Sequence, residues 1–254
     1  MRKMIIILGL ILIAIGLIWL ARPTFANPDV AFDAFSIASS TTNISYTHTP
    51  VGTPRGVLVM CIGTAADTDE FTSATYGGTS MSEVSGSPNV LTGTGHEGGD
   101  ITVFFLGSSV PTGAQTVAVT VSGTGVKTCA AVSLTASTDT EVVDSDGTIN
   151  SVVLDNPSVT LSLGSRVSFA VVAVFSGLNN LTNITPLTGW TGRFEEDFGS
   201  DVAGWYTYNT IGSTDVTAGW TQAGNDALMI AVAVSEVQAA AGGGGEEYLI
   251  LLES

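Results

Sequence analysis

Residues 56–63, GVLVMCIG, and residues 166–177, RVSFAVVAVFSG, decide the fold. Both are short, nearly continuous apolar runs dominated by Val, Ile, Phe and Ala, bounded by Gly, Pro or Ser. Runs of this length and composition form strands, and a strand with no polar alternation is one covered on both faces. Working outward, ISYTH (44–48), ITVFFLG (101–107), QTVAVTVSG (115–123), TCAAVSLTA (128–136), SVTLSL (158–163) and ALMIAVAVSEV (227–237) read as further strands. Several alternate apolar with polar residues at period two, which fits sheets with one wet face. Turn chemistry separates them at Gly77-Gly78, Gly98-Gly99, Pro111-Thr112-Gly113, Asp146-Gly147 and Gly224-Asn225-Asp226. No segment after residue 26 carries a helical period. The pattern predicts an all-β fold, an antiparallel β-sandwich occupying residues 27–238 as one domain.

The N-terminus is different in kind. Arg2 and Lys3 precede an apolar run from Met4 to Ala21, and Thr24 and Ala26 then flank Phe25 as a small-x-small site. A basic segment, an apolar core and a small-residue site make an export signal, with Asn27 the first residue after cleavage. As a helix the run would be about 27 Å long, close to a hydrocarbon core of about 30 Å. Residues 1–26 are therefore read as a signal peptide or a retained signal anchor. In the second case residues 4–21 are the membrane contact. Both place the remaining chain outside the cytoplasm, on the cell surface, in the medium or on a virion.

Charge narrows the partners. From Asn27 onward the only basic residues are Arg55, Lys127, Arg166 and Arg193, set against all 23 acids, a formal net charge of −19. Nucleic-acid binding needs clustered Lys and Arg to displace counterions, so a nucleic-acid partner is excluded. The two cysteines, Cys61 and Cys129, each lie inside a strand-like run. Two readings stay open for them: a disulfide formed in an oxidising compartment, or two separately buried thiols.

Residues 239–254 form a tail. Three alanines lead into Gly242–Gly245, a hinge, and then EEYLILLES closes the chain. Tyr248, Leu249, Ile250, Leu251 and Leu252 make a short apolar strand. It either folds back on its own domain or is donated to the sheet edge of a neighbour.

Candidate chemistry is sparse. His96-Glu97-Gly98-Gly99-Asp100 resembles a zinc-protease motif, but its glycines disfavour the helix that would align the ligands. No nucleophile-elbow motif occurs, and no cofactor is required. Acidic segments could supply oxygen ligands to calcium: Asp67, Asp69 and Glu70 in one, Asp144 and Asp146 in another, and Glu195, Glu196, Asp197 with Asp201 in a third. Their bland alternative is a set of solvated turn acids. Trp190, Trp205 and Trp220 recur at fifteen-residue intervals, with Tyr206 and Tyr208 beside the second. Exposed, these rings would stack on sugars; buried, they would pack between sheets. The Asn-x-Ser/Thr sequons at Asn43, Asn180 and Asn183 matter only in a host that glycosylates them.

The order ISYTHTPVGTPRGVLVMCIG, ATYGGTSMSEV, ITVFFLG, TVAVTVSGTGVKTCAAVSLTA, a Trp-containing meander and ALMIAVAVSEV resembles a group of roughly 200-residue β-sandwich modules, jelly-roll or lectin-like, of phage structural proteins and secreted bacterial surface proteins. The resemblance spans about residues 30–237. The closing YLILLES is similar to short segments of phage-associated reading frames. It implies a non-catalytic structural or assembly subunit whose partners are itself or neighbouring subunits. The alternatives are a glycan-binding adhesin with calcium-supported loops and a polysaccharide partner, and a lectin-like glycoside hydrolase.

Overall fold

A computed structural model describes residues 30–64, 68–91, 98–123, 125–154, 157–164, 166–176, 185–197, 202–208, 215–221 and 225–238. The signal or anchor (1–26), the tail (239–254) with its strand Tyr248–Leu252, His96 and Asp67 lie outside the described residues.

The first ten strands are β1 (Ala31–Ser40), β2 (Ile44–His48), β3 (Pro54–Thr64), β4 (Phe71–Tyr76), β5 (Thr79–Ser80), β6 (Ser82–Glu83), β7 (Asn89–Leu91), β8 (Gly99–Leu106), β9 (Gln115–Val121) and β10 (Lys127–Thr135). Eight more follow: β11 (Thr140–Leu154), β12 (Ser158–Leu161), β13 (Phe169–Ser176), β14 (Thr185–Pro186), β15 (Trp190–Asp197), β16 (Val202–Tyr208), β17 (Val216–Thr221) and β18 (Asn225–Glu236). Among the described residues the fold is all-β, and every strand pairing is antiparallel.

The strands form four sheets that divide along the chain. Residues before Thr140 build one large sheet, β1-β10-β3-β8-β6 with β7 also on β8, and one small sheet, β2-β9-β4-β5. Residues from Thr140 build a second large sheet, β11-β18-β13-β16-β15, and a second small one, β12-β17-β14. The two halves repeat one connectivity. In each, the first strand pairs with the last, the last with the third, and the second with the strand before the last. β6 and β7 together flank β8 as β15 flanks β16. The break between β6 and β7, at Val84–Pro88, falls where β15 carries its bulge between Gly192 and Phe194.

Three apolar clusters fix the stacking order. On β3, Val57, Val59 and Cys61 join Ile44, Phe71, Tyr76 and Val117 between the first large and small sheets. Leu58, Met60 and Ile62, on the opposite face, meet Phe169, Val171, Phe175 and Ile230 of the second large sheet. On β13, Ala170, Val172 and Val174 turn away from that central core toward Val159, Leu161, Ala218 and Trp220. The layers therefore run small, large, large, small. The expected all-β, antiparallel architecture is thus built from four sheets. A sheet with one wet face needs alternation, and β3, β10, β13 and β18 lack it because both of their faces are dry. The outer strands do alternate: Val117 and Val119 on β9 point in while Thr116 and Thr120 point out, as Val159 and Leu161 of β12 do against Ser158 and Thr160.

Polar contacts stitch the two halves at their margins. Asn89 Nδ2 donates to Met229 O at 2.8 Å, Thr140 N–H to Gly107 O at 2.8 Å, and Ser145 Oγ to Ser85 O at 2.6 Å. On the opposite margin Phe35 stacks on Phe194 and the Arg193 guanidinium lies 3.7 Å from the Phe32 ring centroid. Such cation–π contact adds to burial rather than replacing it.

Candidate functional site

The late aromatics are core residues. Trp205 is 1% exposed in the central cluster and its Nε1–H donates to Met60 O at 3.3 Å, across the two large sheets. Trp190, Tyr206 and Trp220 are buried in the cluster beneath the second small sheet, with Tyr208 packed against it. Trp190 Nε1–H reaches Thr217 O at 3.1 Å, and the Tyr206 hydroxyl donates to Glu195 at 2.8 Å. The fifteen-residue interval reflects successive strands delivering rings to the interior, so the reading of an exposed sugar-stacking row is replaced by the packing one.

The acidic segments part company in space. Asp144 and Asp146 are not in a turn but within β11, whose pairing with β18 shifts register between Val142 and Asp144. Asp144 accepts from the Ser162 N–H at 2.6 Å, and Asp146 from the Gly147 N–H at 2.8 Å. A turn at Asp146-Gly147 would leave the edge of β18 uncovered, which is why the strand continues through it. Asp69 is exposed, Glu70 is buried, and Glu195 serves Tyr206. Among the described residues no three His, Cys, Asp or Glu side chains form a group that could hold a metal ion.

Cys61 and Cys129 form a disulfide. They are directly opposite on β3 and β10, with Cα atoms 4.1 Å apart, and both are wholly buried. Of the two readings open from the sequence, the pairing is the one the structure shows.

A Ser and a His do meet. Ser36 Oγ lies 2.7 Å from His48 Nδ1, and Asp33, close enough to act on His48 electrostatically, accepts from Gly52 N–H at 2.7 Å and Ser133 Oγ at 2.8 Å. The imidazole is 0% exposed, stands edge-on to Tyr76 and leaves Nε2 unpartnered. A nucleophile needs a base with a face open to substrate, and this ring has none. Burial pushes its pKa down, with the Asp33 carboxylate opposing.

An open cleft of about 690 Å³ lies between the halves, walled by β6, the end of β8 and the first residues of β11, with Phe105, Leu106 and Val142 as apolar wall and Glu83, Glu141 and Asp144 as acids. Glu141 is held by Arg166 at 2.6 Å and Asp144 by the Ser162 amide. Burial pushes the Glu83 carboxyl up, against a hydrogen bond from Ser87. The cleft's acids thus serve structural partners.

One further cluster joins Glu70 and Asp100, which the sequence places in separate motifs, to Lys127. Lys127 of β10 pairs in register with Gly63 of β3, and Gly63 pairs with Asp100 of β8. The three form one row across adjacent strands, on the face that carries Cys61, Cys129 and Phe104. Lys127 and Asp100 are 0% exposed and Glu70 4%. The ammonium is 3.3 Å from Glu70 Oε1 and donates to Gly125 O at 2.9 Å, while the Glu70 N–H donates to Asp100 Oδ2 at 2.5 Å. Glu70 Oε2 and Asp100 Oδ1 have no partner. A Cβ at Gly63 would stand 2.7 Å from Glu70 Oε2, so the glycine makes room for the carboxylate between lysine and aspartate. Desolvation pushes the Asp100 carboxyl up to about 8; the Glu70 amide opposes this, the Asp69 and Glu70 charges add to it, and Lys127 opposes it. The sequence did hold one signal: Lys127 is the sole lysine after Lys3.

These features define an all-β, multi-sheet protein with a sandwich-like arrangement. No protein-family model matches the chain, and no curated protein or solved structure matches it.

Proposed function

We propose that this chain is an exported, non-catalytic structural or assembly subunit of a cell-surface, filament or virion structure, with each half a jelly-roll-type sandwich. The observation that carries the reading is the buried Cys61–Cys129 disulfide. Disulfides persist in oxidising compartments, which agrees with the N-terminal apolar run as an export signal. Support for the jelly-roll type comes from the shared strand order of the halves, with first strand beside last and second beside the one before last. The buried aromatics leave an adhesin reading without its stacking row.

Assembly runs through the tail, with Tyr248–Leu252 donated as a strand to the sheet edge of a neighbouring copy. Light scattering on residues 27–254 beside the same chain ended after Gly245 tests this. Particles or filaments from the longer chain alone support it. Monodisperse monomers from both would remove self-assembly through the tail and direct attention to calcium-dependent polysaccharide binding.

A further inference from the structure

We propose that Lys127 and Asp100 join through an intramolecular amide bond, made by the protein itself with Glu70 as the proton shuttle. The proposal goes beyond the assembly reading and stands equally if the chain is monomeric.

The geometry starts from the transverse row Lys127–Gly63–Asp100. Lysine and aspartate are two strand spacings apart, about 10 Å between Cα atoms, on the same face. A four-carbon stem from one side and a single methylene from the other span that gap, because Gly63 puts no side chain between them. Glu70 sits over Gly63, in contact with the Lys127 ammonium and, through its own N–H, with the Asp100 carboxyl. The Phe71 ring, 3.5 Å from the same Gly63 position, closes the cluster on the apolar side. Orientation of this kind replaces a collision between two solutes.

Burial supplies the reactive form of the acid, and Glu70 that of the amine. An amine attacks a carboxylic acid, not a carboxylate, and only as free base. Desolvation holds Asp100 protonated to higher pH than an ordinary aspartate. The Glu70 carboxylate takes a proton from the Lys127 ammonium, and the amine lone pair attacks Asp100 Cγ. The new C–N bond forms, the Cγ–OH bond breaks, and Glu70 returns its proton to the departing hydroxyl, which leaves as water. The second nitrogen proton passes to Glu70, which ends neutral beside the amide. Nothing is oxidised or reduced. A buried ammonium and carboxylate, with one unpartnered oxygen on each of Glu70 and Asp100, become a neutral amide and a neutral acid, which removes the cost of holding ions away from water.

The result would be a covalent tie between β8 and β10 across β3, in the same sheet face as the disulfide. That suits a chain whose only exported lysine is placed in the core rather than on the surface.

The test is mass spectrometry of the full chain, denatured and with its disulfide reduced. The expected mass is lower by one water than the sequence demands for its observed N-terminus. Peptide mapping should find a branch joining Lys127 to Asp100, and Lys127 should resist an amine-reactive label even in denaturant. Lys127→Met and Asp100→Ala should restore the full mass, and Glu70→Gln should leave the bond unmade. Asp100→Asn is the diagnostic control, since its side-chain amide would release ammonia in place of water. A wild-type chain of full mass whose Lys127 labels freely on denaturation would overturn the proposal. So would a branch mapped to Glu70 instead of Asp100.

Discussion

Reducing the Cys61–Cys129 disulfide should cost a large share of the stability, and the size of the effect follows from where the bond sits. It closes a 68-residue loop between strands that are neighbours in one sheet. Restricting a loop of that length in the unfolded chain is worth about 4 kcal/mol at room temperature in the chain-entropy account. Net stabilities lie at roughly 5–15 kcal/mol, so loss of the link is a change of the same order as the whole. The native sheet itself changes little, because both sulfurs are packed among Val57, Val59, Phe71 and Ala131. Equilibrium urea unfolding of oxidised and fully reduced protein, followed by tryptophan fluorescence, measures this. The midpoint should fall by about 1–2 M on reduction, and the slope should rise, because the released chain exposes more surface when unfolded. Two free thiols in the denatured, unreduced chain would refute the reasoning at its root. Coincident midpoints would show that the unfolded chain gains nothing from release of the loop.

Two further outcomes follow from burial. Trp205→Ala should destabilise by about 3–5 kcal/mol, since the ring fills the central core and its N–H is satisfied by Met60 O; a chemical-denaturation series in which it costs no more than a surface substitution would contradict the four-layer stack. For His48, burial keeps the ring neutral in the folded chain at pH values where the unfolded chain takes up a proton. The stability tied to this ring is therefore fully present above about pH 6.5 and is lost as the pH falls through that value toward the lower folded one. Urea midpoints should decline over that range in the wild type and decline less in His48→Gln; equal slopes would remove His48 from the account.

What the sequence determined by itself was the class of local structure. Strand-forming residues in short runs, broken by glycine and asparagine, leave β as the consistent choice, and the unalternating runs at 57–62 and 169–175 already required cover on both faces. The pairing of strands was not written there. Periodicity says which face of a strand is dry but not which strand lies opposite, so the division at Thr140 and the repetition of one strand order in both halves emerged only in three dimensions. The same limit governed the side chains. Evenly spaced tryptophans fit a sugar platform and a core equally well until the layers above them are known. Asp144 and Asp146 look like a turn until β18 supplies the partner that keeps them in a strand. Lys127 and Asp100 are far apart in the chain, and registers through Gly63 bring them into one desolvated row, over which Glu70 sits. Local chemistry is encoded locally; the dielectric around a charge, and the neighbour it meets there, are properties of the folded stack.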